Sequence, residues 1–282
     1  MTFINRFSRF LFTQGKKNHI INLSAQMSYQ ALLAFIPFMM LVYNFLNWIS
    51  TEMNGKFMAA LSNFLPASVL DYFHTAAENT INTPISTGSN LLIGFFILFV
   101  SISAMFSLII SLNRIFGQEE TRSIPGLIVQ AILYLLLFLV MILFTIIFYA
   151  LGENTLYHIF NLFNLSQIFT VFLTAFGILY VGVITTLIFT LIYKFAPKNH
   201  LSFFEALPGG LFVSIGWMSL LFIYNIVAKP FLNLTTFFNN VQGPFFLCIF
   251  IYTICFTLTL GGVINLYSID KKEYEGKTTQ ND

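Results

Sequence analysis

The sequence predicts an all-α membrane protein: a bundle of six transmembrane helices with both termini on the cytoplasmic side. Three observations carry this reading. Charged residues make up 9% of the 282-residue chain and hydrophobic ones 57%, with a mean hydropathy of +0.81, whereas a soluble domain carries about 25% charged residues. Six apolar runs reach the ~20 residues that a helix needs to cross the hydrocarbon core. Lys and Arg, finally, cluster in alternate connections between those runs.

The spans cover residues 20–49, 91–112, 127–151, 168–193, 207–228 and 245–267, so that 20–267 forms one transmembrane domain between an N-terminal segment (1–19) and a tail (268–282). In the N-terminal segment Phe3, Phe7, Phe10 and Leu11 recur at helical spacing with Arg6 and Arg9 between them, the pattern of an amphipathic helix lying in the membrane interface. The first span is too long for a signal peptide and lacks its small-residue cleavage site. In the connection after it, Phe57, Leu61, Phe64 and Leu65 repeat the amphipathic pattern before Pro66, and a short VLDYF stretch follows. That connection therefore reads as helical and docked on the membrane face. Arg6, Arg9, Lys16, Lys17, Arg114, Arg122, Lys194, Lys198, Lys271, Lys272 and Lys277 fall on one side, and only Lys56 and Lys229 on the other. The positive-inside rule then puts both termini in the cytoplasm. Cys248 and Cys255 lie seven residues apart in one apolar run, too far for a disulfide, and read as small core residues.

The spans are as informative for what they lack. No Asp, Glu, Lys or Arg occupies a span centre, and His19, His74, His158 and His200 lie in connections or at span edges. Ion-coupled carriers bury an ionisable side chain to relay the ion, so this absence argues against that class. The chain has no H-x-H, H-E-x-x-H, C-x-x-C, G-x-S-x-G or P-loop pattern. No metal, cofactor or enzymatic activity is expected. The net charge of +2 with no clustered basic face argues against nucleic acid. Glu119 and Glu120, between Arg114 and Arg122, read as a solvated charged loop.

Polar residues inside or beside the spans supply the candidates for a substrate path. In the first span, SAQMSYQALLAFIP places Gln26, Tyr29, Gln30, Leu33 and Pro37 on one face and Ser24, Ser28, Ala31 and Phe35 on the opposite one. The serine–alanine face suits close packing. The glutamine–tyrosine face is costly against lipid and is expected to point into the bundle or a wet cavity near the cytoplasmic leaflet, with Pro37 freeing a carbonyl near Leu33. Ser103, Ser107 and Ser111 form a small-residue packing stripe. Thr185, Thr186 and Thr190 are expected to bond back to their own helix. Asn113 and Arg114 close the second span. Leu207-Pro208-Gly209-Gly210 opens the fifth, with proline in its first turn, and Tyr224 and Asn225 lie near its end. Asn239, Asn240 and Gln242 precede the sixth span, which holds Asn265 near its end.

Four segments together resemble the YihY/virulence factor BrkB family of bacterial inner-membrane proteins. SYQALLAFIPFMML is similar to its first span, SLIISLNRIF to the Asn-Arg ending of its second, YKFAPKNHLSFFEALPGGLF to the passage between its fourth and fifth, and LGGVINLY to its closing motif. The similarity runs from Ala25 to Asn265 in order. Gly262-Val263-Ile264-Asn265 lacks the family's glutamate, Gln242-Gly243 stands where the family has Tyr-Gly, and Tyr29 is followed by Gln30; roles carried by those family residues do not transfer. The resemblance implies a six-span inner-membrane protein whose relatives are linked to envelope integrity and to export of lipids or envelope components. The ribonuclease label some relatives carry finds no support in these residues.

The expectation is a bacterial inner-membrane protein that transports or flips a lipid or lipid-linked envelope component. The alternatives are a non-transporting envelope scaffold and, after it, a small-solute carrier. The expected partners are membrane lipids and a lipid-linked substrate, not nucleic acid, with homo-oligomerisation left open.

Overall fold

A bilayer offers no hydrogen-bond partners to a bare backbone, so a spanning chain must satisfy its own amides and carbonyls. In the computed structural model, which describes residues 3–64, 70, 75, 87–151, 166–223, 226 and 242–279, the chain does this in helices, with no strand among the described residues. Helix α1 covers Phe3–Lys17, α2 Ile20–Ile49, α3 Thr51–Phe64, α4 Thr87–Ile115, α5 Ile124–Leu151, α6 Ser166–Phe195, α7 Phe203–Ile223 and α8 Gln242–Thr279. Six of them (α2 and α4 to α8) are long and apolar enough to cross a membrane.

Each of those six packs on the next, and α8 returns to α2, so the spans close a ring in chain order; α8 also touches α4. The main core lies inside this ring, with Ile109, Leu112, Phe189, Ile192, Tyr193, Val213 and Val263 at 1% exposure or less. A smaller cluster of Val42, Leu46, Phe57 and Leu139 joins α2, α3 and α5. The start of the connection after the first span, Thr51–Phe64, is thus helical, and its Phe57 is packed between α2 and α5; Leu65, Pro66 and nearly all of the VLDYF stretch fall outside the described residues. Helix α1 docks beside the far end of α8, where the Phe10 and Tyr267 rings meet edge-on at 5.0 Å. Both lie at the end of the ring that holds Arg114, Arg122, Lys194 and Lys198, called here the basic end.

The first-span expectation needs correction. The buried stripe of α2 is Ile20, Leu23, Ser24, Met27 and Ala34, because that face offers more apolar area to α8 and α4. Ser24 is fully buried and shares a 2.7 Å hydrogen bond with Thr259 of α8. Most of the opposite face looks outward rather than into the bundle: Gln26 is exposed, Tyr29 is 61% exposed and Leu33 48%, while Gln30 is half-buried and turned to α4, where it accepts from Ser103. Pro37 sits half-buried within the continuous helix α2. The cysteines are also unlike one another, Cys255 buried and Cys248 exposed.

Helix α7 starts earlier than the sequence reading has it. Ser202 and Glu205 form a capping box, the Ser202 amide donating to the Glu205 carboxylate at 2.9 Å and the Glu205 amide to the Ser202 hydroxyl at 3.4 Å. Pro208 therefore falls in the helix interior and not in the first turn, which leaves the Phe204 carbonyl without its helical donor. Next to it, the Gly209 amide donates to Asn265 Oδ1 of α8 at 2.6 Å. Only glycine fits here. A Cβ at Gly209 would meet the Gly261 carbonyl oxygen and lie 2.7 Å from Asn265 Cγ. On the α6 side, a Cβ at Gly210 would run into the Thr190 hydroxyl. Thr185 bonds back to Val181 at 2.6 Å as expected, but the Thr190 hydroxyl is buried with no hydrogen-bond partner.

Gly209→Ala should lower the thermal unfolding temperature of the purified protein by several degrees, since overpacking costs about 1–3 kcal/mol. This is opposite in sign to its helix propensity. Gly94→Ala on α4, where a Cβ meets nothing within 4 Å, should leave stability unchanged or raise it. Equal shifts for the two variants would contradict the close α7–α8 crossing.

Candidate functional site

The last four carbonyls of a helix have no partner within it, and at the end of α6 side chains from α5 and the turn before it supply the missing donors. Pro197 stops α6. Arg122 Nη2 donates to the Ala196 carbonyl at 2.9 Å and Gln130 Nε2 to the Phe195 carbonyl at 2.6 Å. A guanidinium at a helix C-terminus also complements the helix dipole. The two caps are linked to each other, Arg122 Nη1 donating to Gln130 Oε1 and Gln130 Nε2 donating to the Tyr134 hydroxyl at 2.7 Å.

Arg122 is held in turn by Glu120, whose two oxygens accept from Nε at 2.8 Å and Nη2 at 2.6 Å, a bidentate pair. Gly117, with φ of 66°, turns the chain after α4 so that Glu120 returns to that helix. There Asn113 Nδ2 donates to Glu120 at 2.5 Å while Asn113 Oδ1 accepts from the Lys198 amide at 2.8 Å. Gln118 accepts from the Asn199 amide at 2.8 Å. Asn113, 1% exposed, thus ties the α4–α5 connection to the α6–α7 connection. Glu120 is not the solvated loop residue that its neighbours suggest: its side chain is 15% exposed. Hydrogen bonding to the Arg122 side chain holds its carboxyl below the ordinary 4.5, outweighing the burial that pushes the other way.

Beside this network a groove of about 610 Å³ opens sideways between α5 and α6, the most sparsely packed neighbours in the ring. Leu133, Leu136, Leu137 and Val140 line it from α5, spaced as one helical face, with Leu191 and Phe195 from α6; Arg122, Gln130, Tyr134 and His200 form its polar end. From Gln130 to Val140 the groove runs about 15 Å along the helix, at 1.5 Å per residue, which is about half of the ~30 Å hydrocarbon thickness. At the mouth, Lys194 Nζ lies 5.0 Å from the centre of the Phe195 ring, and the His200 ring meets Phe195 edge-on at 5.5 Å.

The structure separates the residues singled out by sequence. Asn113 belongs to the network. Arg114 faces the other way, its Nη1 3.5 Å from Gln26 on the exposed flank of α2, where Gln30 also accepts from Ser103 at 2.9 Å. Tyr29 and Pro37 lie along that same helix. Pro208, Gly209, Gly210 and Asn265 form the α7–α8 crossing, where Asn265 is fully buried and its Nδ2 has no partner. Gln242 is the first residue of α8; Tyr224, Asn225, Asn239 and Asn240 lie outside the described residues. Sequence reasoning missed Glu120, Arg122, Gln130 and Tyr134. The one signal for them was Gln130 and Tyr134 at i, i+4, polar groups at the start of an otherwise apolar span.

Fold and groove together define a multi-pass helical membrane protein. The family model for virulence factor BrkB matches residues 11–282, and the chain belongs to that family. It is 23% identical over 270 residues, covering 94% of each chain, to the putative ribonuclease-like protein YfkH of Bacillus subtilis (strain 168). No solved structure matches the chain.

Because the Glu120 carboxyl is depressed in the folded protein, its stabilising contribution is complete above about 4.5 and is lost as the pH falls through its folded value. Glu120→Gln should therefore unfold at a lower temperature than the wild type at neutral pH, with the gap closing in acid. A gap that stays constant across a pH series of thermal unfolding curves would contradict the pairing.

Proposed function

We propose that this protein moves a lipid or lipid-linked envelope component across a bacterial inner membrane, with its basic end and both termini in the cytoplasm. The lateral groove between α5 and α6 carries the reading. It is apolar along the bilayer, polar at the interface and open to the side, the shape an amphiphile needs to enter from one leaflet without leaving the membrane. The eleven-to-two division of Lys and Arg between the two sides supports the orientation. The charge-free span centres suit a cargo whose chains stay in lipid.

The reading is non-enzymatic. The carboxylate at the groove, Glu120, is committed to Arg122 and Asn113. The ribonuclease-like name belongs to the Bacillus subtilis relative and is not carried over. A scaffold remains the second reading, favoured by the tight Gly209–Gly261 crossing, which is what a rigid assembly platform would also use.

Reconstituted vesicles holding a fluorescent lipid analogue decide between the two. The wild type should bring analogue from the inner leaflet to an external quencher faster than protein-free vesicles do. Leu136→Trp, which fills the groove from a position 48% exposed, should lower that rate at least about tenfold, a loss of some 1.4 kcal/mol. Apolar replacement of Gln26, Tyr29 and Gln30 serves as the counter-test. Loss there, with Leu136→Trp active, would move the route to the α2 flank. Protein-free rates for a well-folded wild type would favour the scaffold.

A further inference from the structure

Arg122 is the obvious cation at the polar end of the groove, yet it has little left to offer a ligand. Of its five N–H donors, Nε is given to Glu120, Nη2 to Glu120 and the Ala196 carbonyl, and Nη1 to Gln130. Its charge is balanced by Glu120 at 2.6 Å. The amides of Lys198 and Asn199, which sit where a backbone anion site would form, are likewise taken by Asn113 and Gln118. Apart from His200, the polar end of the groove is a finished wall.

The donors that remain are His200 at its edge and two lysines one step outside it. Lys194, Lys198 and His200 follow one another through the end of α6 and its turn; Lys198 and His200 are exposed, Lys194 half-buried. Lys194 and His200 both lean on Phe195, which itself lines the groove. Among the described residues neither lysine is paired with a carboxylate. Glu205, the nearby acid on α7, is turned to the Ser202 amide in its capping box. So the groove has an apolar length of one leaflet, a neutral polar shoulder and, at and beyond the shoulder, the His200 imidazole and two lysine ammonium groups.

Resting on the groove reading above, we infer that the occupant is a phospholipid with an anionic phosphate head. Its chain lies along Leu133, Leu136, Leu137 and Val140, and its phosphate is held by Lys194, Lys198 and His200. Lysine ammonium groups bind phosphate as point charges without demanding one geometry, and each basic residue close to a membrane surface adds to the affinity for anionic lipid. Arg122 acts as a positioning residue: it fixes the end of α6, and with it Lys194 and Phe195, and does not touch the head.

The test uses the full chain in nanodiscs with photoreactive lipids that share one diazirine-bearing chain and differ in head: phosphatidylglycerol, phosphatidylcholine and diacylglycerol. Cross-linked sites are mapped by mass spectrometry. Phosphatidylglycerol should label Leu133–Val140 at least about fivefold more than phosphatidylcholine, and diacylglycerol least. The excess should shrink with added salt but not with inorganic phosphate. The Lys194→Gln, Lys198→Gln, His200→Gln variant should bring the ratio to about one, with both phospholipids falling towards the diacylglycerol level, while diacylglycerol labelling stays at the wild-type level, which also shows that the groove is intact. Equal labelling by all three heads, or an unchanged ratio in the triple variant, overturns the phosphate assignment while leaving the groove. Competition by inorganic phosphate overturns the lipid as its source. Labelling unchanged by Leu136→Trp would instead sink the groove itself.

Discussion

The two hydrogen bonds that cap α6, from Arg122 to the Ala196 carbonyl and from Gln130 to that of Phe195, fix the geometry on which the rest of the basic end depends. A helix end at a membrane boundary must give its carbonyls to water, headgroups or side chains, and here α5 and the turn before it supply them. Glu120 orients Arg122, and Asn113 orients Glu120 while holding the Lys198 amide. The cap thus becomes a tie between two connections that are far apart in sequence. It fixes α5 and α6 at one end without requiring them to pack closely along their length. A groove between them is the consequence, with polar atoms already satisfied at its head and leucine side chains below.

The same division of labour shows in the other interfaces. At the α7–α8 crossing, glycines bring the backbones together and Asn265 reaches the Gly209 amide beside Pro208. On the far side of α7, Ser214 donates to the Gly182 carbonyl of α6 at 3.0 Å, and Tyr193 donates across to the Leu258 carbonyl of α8 at 2.6 Å. These contacts tie α6, α7 and α8 together. The groove lies beside that group and not through it.

Much of the fold was legible because a bilayer leaves so few options. Length and apolarity alone gave six helices, and the Phe57 periodicity gave the packed helix after the first span. The errors have local physical causes. Pro208 read as a helix start until the Ser202–Glu205 capping box placed α7 four residues earlier. The Gln26–Tyr29 face read as inward because polar groups are costly in hydrocarbon. Gln26 instead reaches Arg114 of the basic end, and the larger apolar face took the core. The groove itself was not legible. Leu133, Leu136, Leu137 and Val140 are the ordinary residues of any span, and only the spacing of α5 from α6 makes them a site. Glu120 and Arg122 looked like any charged turn, since nothing in the local sequence says that the α6 carbonyls lie above them.

The most direct measurement of the central claim is a high-resolution cryo-electron microscopy map of the protein in nanodiscs of uniform phospholipid. Continuous chain-like density is expected between α5 and α6, running from the Gln130 level to Val140, with a head beside Phe195. A map in which the side chains of α5 and α6 close on one another, or in which the groove holds no more ordered density than the surrounding annular lipid, would contradict it.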